Sequence, residues 1–108
     1  MEKLPKRYTE FLKSYPDVGA AYTALGEAVA NAGPLDAKTR ELIKIGVSVG
    51  ARMESAVRSH TRRALDAGAT AEEVRHAALQ ATTTVGFPSM MAGLSWVDEV
   101  LEARKSEG

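Results

Sequence analysis

The sequence lacks cysteine entirely, since none of its 108 residues is a Cys. This absence excludes disulfides, thiolate nucleophiles and zinc or iron–sulfur sites built on cysteine. An excess of one charge is also missing, because 14 Lys and Arg balance 14 Asp and Glu. Non-specific binding to nucleic acid depends on a basic excess or a basic face, so nucleic acid is not an expected partner. The candidate reactive groups are therefore carboxylates, histidines and hydroxyls.

Long apolar runs are missing as well. No run approaches the ~18 residues that suggest a membrane-spanning helix, and Met1–Arg7 is not followed by the apolar segment and small-residue cleavage site of a secretory leader. We therefore expect a soluble, cytoplasmic protein that does not bind a membrane. Gly-rich phosphate loops and paired metal-ligand spacings are not apparent either, so we predict no cofactor and no metal site.

What the sequence does contain is helical patterning. Gly and Pro occur at intervals that fit helices, and no alternating β-branched run lies between them. The sequence predicts a single all-α domain over residues 1–108 with Asp17, Asp36 and Thr70 as N-caps and Glu73 completing a capping box with Thr70. About six helices are predicted, near residues 5–14, 17–31, 37–52, 55–67 and 70–85 and from residue 89 into a frayed tail at 104–108.

The third predicted helix is unusual because residues 42–51 are apolar nearly all the way round. Such a helix is expected to be buried on every side, and Gly46 and Gly50 would allow another backbone to approach closely. A buried strand over Ile43–Val49 is the alternative. A small core only narrowly offsets the entropy cost of ordering a chain of this length. We therefore expect subunits to associate through this largely apolar central helix.

Glu41 and His60 are the two candidate catalytic residues. Glu41 directly precedes the apolar part of the third helix, where desolvation can raise the pKa of a carboxyl group, and histidine is the side-chain type that ordinarily acts as acid or base near neutral pH. Together they could supply a general acid and a general base. The alternative is structural: Glu41 would be an exposed first-turn carboxylate that favours the helix dipole, and His60 a packed histidine.

A basic segment surrounds His60, and within it Arg58 and Arg62 lie one helical turn apart. This spacing predicts a pocket for a carboxylate or phosphate, because Arg binds either group through two hydrogen bonds. The alternatives are a solvated helix face, ion pairs with another subunit, or a recognition helix over residues 56–67.

Several segments, each of which is a weak indication of a family by itself, occur in a specific order and spacing. They are Leu35–Ile43, Val49–Arg52, Ser59–Leu65, Ala67–Val74 and Gly86–Pro88. Together they resemble the carboxymuconolactone decarboxylase and alkylhydroperoxidase D-like (AhpD-like) family, with the likeness strongest over residues 35–101. The resemblance implies an AhpD-like helical domain that assembles into trimers or hexamers, with sites near the subunit contacts.

Peroxidase-type members of that family have a Glu, a Cys-x-x-Cys pair and a His at fixed spacing. The same spacing falls here on Glu41, Met53, Ala56 and His60, so the acid–base residues are retained and both cysteines are missing. The resemblance implies that Glu41 and His60 relay protons. Thiol peroxidase activity is not expected, because a thioether and a methyl group cannot act as a thiolate nucleophile.

Decarboxylase-type members share the histidine, the arginines that follow it and the Gly-x-Pro before the last helix, but have a carboxylate where Ala56 stands here. By this resemblance the ligand would be a small oxygenated or anionic molecule, and the reaction a lyase-type lactone decarboxylation or isomerisation. Arg58 or Arg62 would bind the substrate carboxylates and His60 would protonate carbon. The alternative function is a non-catalytic oligomeric ligand-binding or assembly protein on the same scaffold.

Overall fold

The structure, a computed structural model, describes residues 5–107. Within this range every regular element is a helix, which confirms the all-α prediction and shows that the strand alternative for Ile43–Val49 is wrong. The helices are α1 (Lys6–Ser14), α2 (Pro16–Ala30), α3 (Ala37–Gly50), α4 (Glu54–Asp66), α5 (Ala71–Leu79), α6 (Thr82–Val85) and α7 (Phe87–Glu107).

Side-chain caps begin two of the helices, α3 and α5. The Asp36 side chain accepts a hydrogen bond from the Thr39 N–H at 2.8 Å, and Thr70 forms the predicted capping box with Glu73. Asp17 is not a cap, because α2 begins one residue earlier at a proline in its first turn, a position where the missing N–H costs nothing. Asp17 therefore lies in the first turn, where a carboxylate favours the helix dipole.

The predicted fifth helix is divided into α5 and α6. The Thr82 hydroxyl donates to the Leu79 carbonyl at 2.6 Å, which offers the backbone an alternative to the regular helical ladder at this point.

The last helix also differs from its prediction at both ends. It begins at Phe87 and remains helical through Glu107, where the expected frayed tail is instead held by an ion pair between Arg104 and α4. Gly108 lies outside the described residues.

The chain divides into two compact units between Leu35 and Asp36, so that the single-domain assignment over residues 1–108 stays a prediction. In the first unit α1 and α2 pack together, and Gly19 is the only buried residue among those described. Four apolar side chains follow one face of α2 at helical spacing and are 55–64% exposed. This α2 stripe consists of Val18, Tyr22, Leu25 and Val29.

The second unit contains the hydrophobic core, built by α3, α4, α5 and α7. Its fully buried apolar residues are Ile45, Val49, Val57, Ala64, Val74, Ala78 and Val97. Helices α3 and α7 approach closely at Gly93, where a Cβ atom would lie 2.5–3.0 Å from side-chain atoms of Val49. By contrast, a Cβ at Gly46 or Gly50 would meet its nearest neighbour at 3.7 Å, so within one chain the close contact falls on a different glycine from those predicted.

Helix α3 is buried on one face only. Ile45, Ser48 and Val49 are buried in the core, whereas Ile43 is 48% and Val47 is 66% exposed. The expectation that α3 is buried on every side is therefore wrong for the single chain.

Candidate functional site

Glu41 and His60 are joined directly. Nδ1 of His60 lies 2.8 Å from Oε1 of Glu41, and the two side chains are only 20% and 16% exposed. The contact connects α3 to α4, which pack against each other. Glu41 lies four residues before Ile45 and so shares the face of α3 that enters the core, which explains why a carboxylate at this position is shielded from water.

The electrostatic environment favours the carboxylate form of Glu41. Burial acts to raise its pKa, but the hydrogen bond with His60 and the nearby positive charges outweigh burial, so that the pKa of Glu41 is lowered. The expectation of a raised pKa is wrong, because the desolvated carboxylate has its own cationic partners. An ionised carboxylate can only accept, so Nδ1–H of His60 donates to Glu41 and the lone pair of a neutral ring is on Nε2.

Two basic residues near this pair were missed by sequence reasoning. Lys44 and Arg63 contribute to the lowered pKa of Glu41 through their charges. Lys44 lies three residues after Glu41 on α3, and Arg63 lies three residues after His60 on α4. Because residues three apart are neighbours on a helix surface, this repeated spacing is the signal that could have found them.

Arg58 forms its ion pairs with residues other than the Glu41–His60 pair. Its guanidinium group forms ion pairs with Glu54, one turn earlier on α4, and with Glu99 on α7, and both carboxylates raise its pKa. Residues two apart on a helix do not face each other, so Arg58 and His60 lie on different sides of α4. The structure therefore does not bring Arg58 together with the Glu41–His60 pair.

Arg62 is one turn after Arg58, as the sequence predicted, and is half-buried. Its backbone carbonyl accepts a hydrogen bond from Nη2 of Arg104 at 3.2 Å, which attaches the end of α7 to α4. Its role in binding a substrate stays a prediction.

Met53 and Ala56, the two positions to which the resemblance assigns the family cysteines, lie at the start of α4. Met53 is the N-cap residue and is 57% exposed, and Ala56 is half-buried in the first turn. The preceding residue, Arg52, has a left-handed backbone with φ of 54°, which is uncommon for a non-glycine residue. Its side chain reaches Ser89 near the start of α7 at 3.4 Å.

A separate open groove of about 480 Å³ lies between α3 and α5. Its α3 side includes the exposed Ile43 and Val47, and its opposite side includes His76, which is hydrogen-bonded to Gln80 at 2.9 Å. Neither Glu41 nor His60 lines this α3/α5 groove.

Over residues 5–107, no group of three or more His, Cys, Asp or Glu side chains is placed to hold a metal ion. The helices within the same range are also too short or too polar to cross a membrane.

The fold and this geometry define an all-helical protein in which a shielded carboxylate–histidine pair joins two adjacent helices. The chain belongs to the carboxymuconolactone decarboxylase family, whose sequence profile matches residues 16–99. The family resemblance read from the sequence is thereby confirmed.

Two solved structures are similar to the whole fold. A carboxymuconolactone decarboxylase family protein from Legionella pneumophila is 27% identical with a TM-score of 0.76, and the match covers 87% of each chain. A family protein from Thermotoga maritima, for which a role in the antioxidative response has been suggested, is 25% identical with a TM-score of 0.68 and covers 94% of this chain and 96% of its own.

An uncharacterized protein from Haemophilus influenzae is 48% identical over 59 residues. That match spans 55% of this chain and 52% of the Haemophilus protein, so only about half of either sequence is compared.

Proposed function

We propose that Glu41 and His60 form a proton-relay pair that acts on a small oxygenated or anionic molecule. The observation that carries this proposal is the 2.8 Å hydrogen bond between two side chains that are each at least four-fifths shielded from solvent. A carboxylate that accepts from Nδ1–H fixes the tautomer of the imidazole and stabilises the imidazolium ion that forms when Nε2 takes a proton. His60 is thus the acid or base, and Glu41 is the positioning residue.

The reaction class that fits is lactone decarboxylation or isomerisation, a lyase-type chemistry. When a carboxylate leaves as CO2, the electron pair left on the substrate needs a proton, and Nε2–H of a protonated His60 is the group that supplies it. Lys44 and Arg63 add positive charge beside Glu41, which favours an anionic substrate. A thiol peroxidase reaction has no nucleophile here, because the chain has no cysteine.

Arg58 and Arg62 are the predicted substrate-binding residues. Arg58 would have to exchange Glu54 and Glu99 for a substrate carboxylate. The proposal also includes a cytoplasmic protein that self-associates into a trimer or hexamer, supported by the exposed apolar face of α3.

A second candidate function is a non-catalytic ligand-binding or assembly protein on the same scaffold. It is favoured by two observations: Arg58 is already paired with two carboxylates, and Met53 and Ala56 occupy the family's reactive positions. In this case the Glu41–His60 pair would bind a ligand without turnover.

The test combines turnover and binding. Purified protein is assayed with γ-carboxymuconolactone and then screened against small lactones and carboxylates by thermal shift. We expect turnover and ligand-dependent stabilisation to be lost in His60→Ala. His60→Asn retains an N–H for Glu41 but cannot transfer protons, so it should retain binding and lose turnover.

Glu72→Gln, an exposed carboxylate on α5, is the matched control and should behave as the native protein. Stabilisation without turnover, abolished in His60→Ala, would establish the ligand-binding alternative. Full turnover in His60→Ala would rule out the relay.

A further inference from the structure

We infer that Lys44 binds a carboxylate group that stays on the substrate while His60 transfers a proton. The substrate class is then a small lactone that carries such a carboxylate. This inference rests on the proposed function, because it assigns the binding of a substrate to the site of Glu41 and His60.

Lys44 is a half-buried cation that lacks a partner of its own. Within the part of the chain that the structure describes, its ammonium group makes no hydrogen bond and no ion pair. Lys38 and Arg104 are also half-buried, and each of them pairs with a carboxylate. A positive charge that is partly removed from water and left unpaired is unfavourable. An anionic group of a bound molecule would pair with it.

The position of Lys44 on α3 places it beside the Glu41–His60 pair. It lies one turn after Glu41 and one turn before Ser48, and both of these side chains are shielded from water. Residues three or four apart are neighbours on a helix surface, so Lys44 follows the same face of α3. Its charge contributes to the lowered pKa of Glu41, although the two groups do not form an ion pair. Lys44 is therefore near the pair and still able to bind an anion.

Two contacts set the register between α3 and α4, which run in opposite directions. Glu41 contacts His60, and the Met53 N–H donates to the Ser48 carbonyl at 3.0 Å. The seven residues from Glu41 to Ser48 are thus matched by the seven from His60 back to Met53. Lys44 is displaced from Glu41 by about 4.5 Å along the helix axis, toward Met53. Lys44 and His60 are therefore spaced to bind two groups of one small molecule.

A single ammonium group at this place favours a carboxylate. Lys carries one compact positive charge with three N–H donors, which matches a group with one negative charge. A doubly charged phosphate is disfavoured because the ionised Glu41 lies close by and would repel it.

The carboxylate that Lys44 binds is one that the product retains. When a carboxylate is lost as CO2, its negative charge moves onto carbon in the transition state. An ammonium group bound to that carboxylate would stabilise the substrate more than the transition state and would slow the reaction. A second carboxylate keeps its charge throughout, so binding it holds the substrate against His60 without this cost.

The test compares a carboxylate with its neutral ester. γ-Carboxy-γ-butyrolactone and its methyl ester are titrated by calorimetry into native protein, Lys44→Met and Lys44→Arg. We expect the native chain to bind the acid at least about tenfold more tightly than the ester, because a hydrogen bond between charged groups is worth that factor or more. The preference should disappear in Lys44→Met and remain in Lys44→Arg. The ester should bind all three proteins equally, which would show that the site is intact in the variants.

Two control variants distinguish direct contact from the general positive charge of the site. Lys105→Met removes an exposed lysine from α7 and should leave the preference unchanged. Arg63→Met removes the second cation that acts on Glu41. Arg63 follows His60 on α4 and so lies in the direction away from Met53, and its loss should reduce the preference by no more than about threefold.

The outcomes separate this inference from the proposed function. Equal binding of acid and ester by the native chain, binding of neither compound, or an undiminished preference in Lys44→Met would each overturn the role of Lys44. A preference that survives in Lys44→Met and disappears in Arg62→Met would assign the carboxylate to Arg62 instead. Loss of turnover in His60→Asn would support the proton relay whichever of these results is found.

Discussion

The two faces of α3 consist of the same kinds of residue and have opposite surroundings. On one face Ile45 and Val49 are completely buried, with Val49 beside Gly93 of α7, and on the other Ile43 and Val47 are about half and two-thirds exposed. Glu41 belongs to the buried face and owes its shielding to that position. The comparison shows that hydrophobic patterning alone does not distinguish residues that build a chain's own core from residues available to a second copy.

The largest expected effect is a difference in the free energy of unfolding between substitutions at Ile45 and at Ile43, which lie on the two faces of α3. Ile45→Ala should lower the free energy of unfolding by about 2–5 kcal/mol, because it leaves a cavity in the core. Ile43→Ala removes the same atoms from a half-exposed position and should cost less than about 1 kcal/mol at low protein concentration. Urea unfolding of both variants measures the difference.

Protein concentration sharpens this comparison. Association stabilises the folded chain by mass action, so the cost of Ile43→Ala should increase with concentration if a second copy covers that face. The loss in the free energy of unfolding caused by Ile45→Ala should not depend on protein concentration in this way, because Ile45 is buried within its own chain. Equal costs for the two variants at every concentration would contradict the division of α3 into two faces.

The second prediction compares two glycines. Gly93→Ala should cost about 1–3 kcal/mol, because its Cβ would overlap the branched side chain of Val49 and one of the two helices must shift. Gly46→Ala meets only ordinary contact with the Ala77 carbonyl oxygen, so it should stabilise the isolated chain by about 0.5–1 kcal/mol through helix propensity. Thermal unfolding of dilute samples checks the opposite signs, and destabilisation by Gly46→Ala under those conditions would contradict the open groove.

Sequence reasoning predicted what depends on local chemistry. Asp36 and Thr70 were identified as caps because a cap needs only the next few residues, and the fixed spacing of Glu41 and His60 within the family pattern identified a pair that the structure joins. Assigning a partner across the fold was harder. Glu99, which pairs with Arg58, is 41 residues away, and nothing in the local pattern of α4 indicates it.

The exposed half of α3 was mispredicted for a related physical reason. An apolar helix is predicted to be buried, but its sequence does not say whether its own chain or another chain covers each face. The glycine at which two helices approach closely could be assigned only once the neighbouring helix was known. Gly46 and Gly50 have the spacing typical of a close helix contact, yet Gly93 makes it because α7 crosses the buried face beside Val49.

The smallest expected effect concerns Glu41 and depends on pH. Its pKa in the folded chain is below the value of about 4.3 for a free glutamate, so ionised Glu41 stabilises the folded state above that pH, and the stabilisation is lost as pH falls through the folded pKa. Glu41→Gln keeps an acceptor oxygen for Nδ1–H of His60 but removes the negative charge, so it should cost about 1 kcal/mol at neutral pH.

The difference in the free energy of unfolding between native protein and Glu41→Gln should shrink as the pH falls below about 4.3. Urea midpoints measured across this range test the sign, with Glu72→Gln as the exposed carboxylate control. A difference that does not shrink below about pH 4.3 would mean that the pKa of Glu41 is not lowered in the folded chain. The assignment of Glu41 as the ionised acceptor of Nδ1–H would then be wrong.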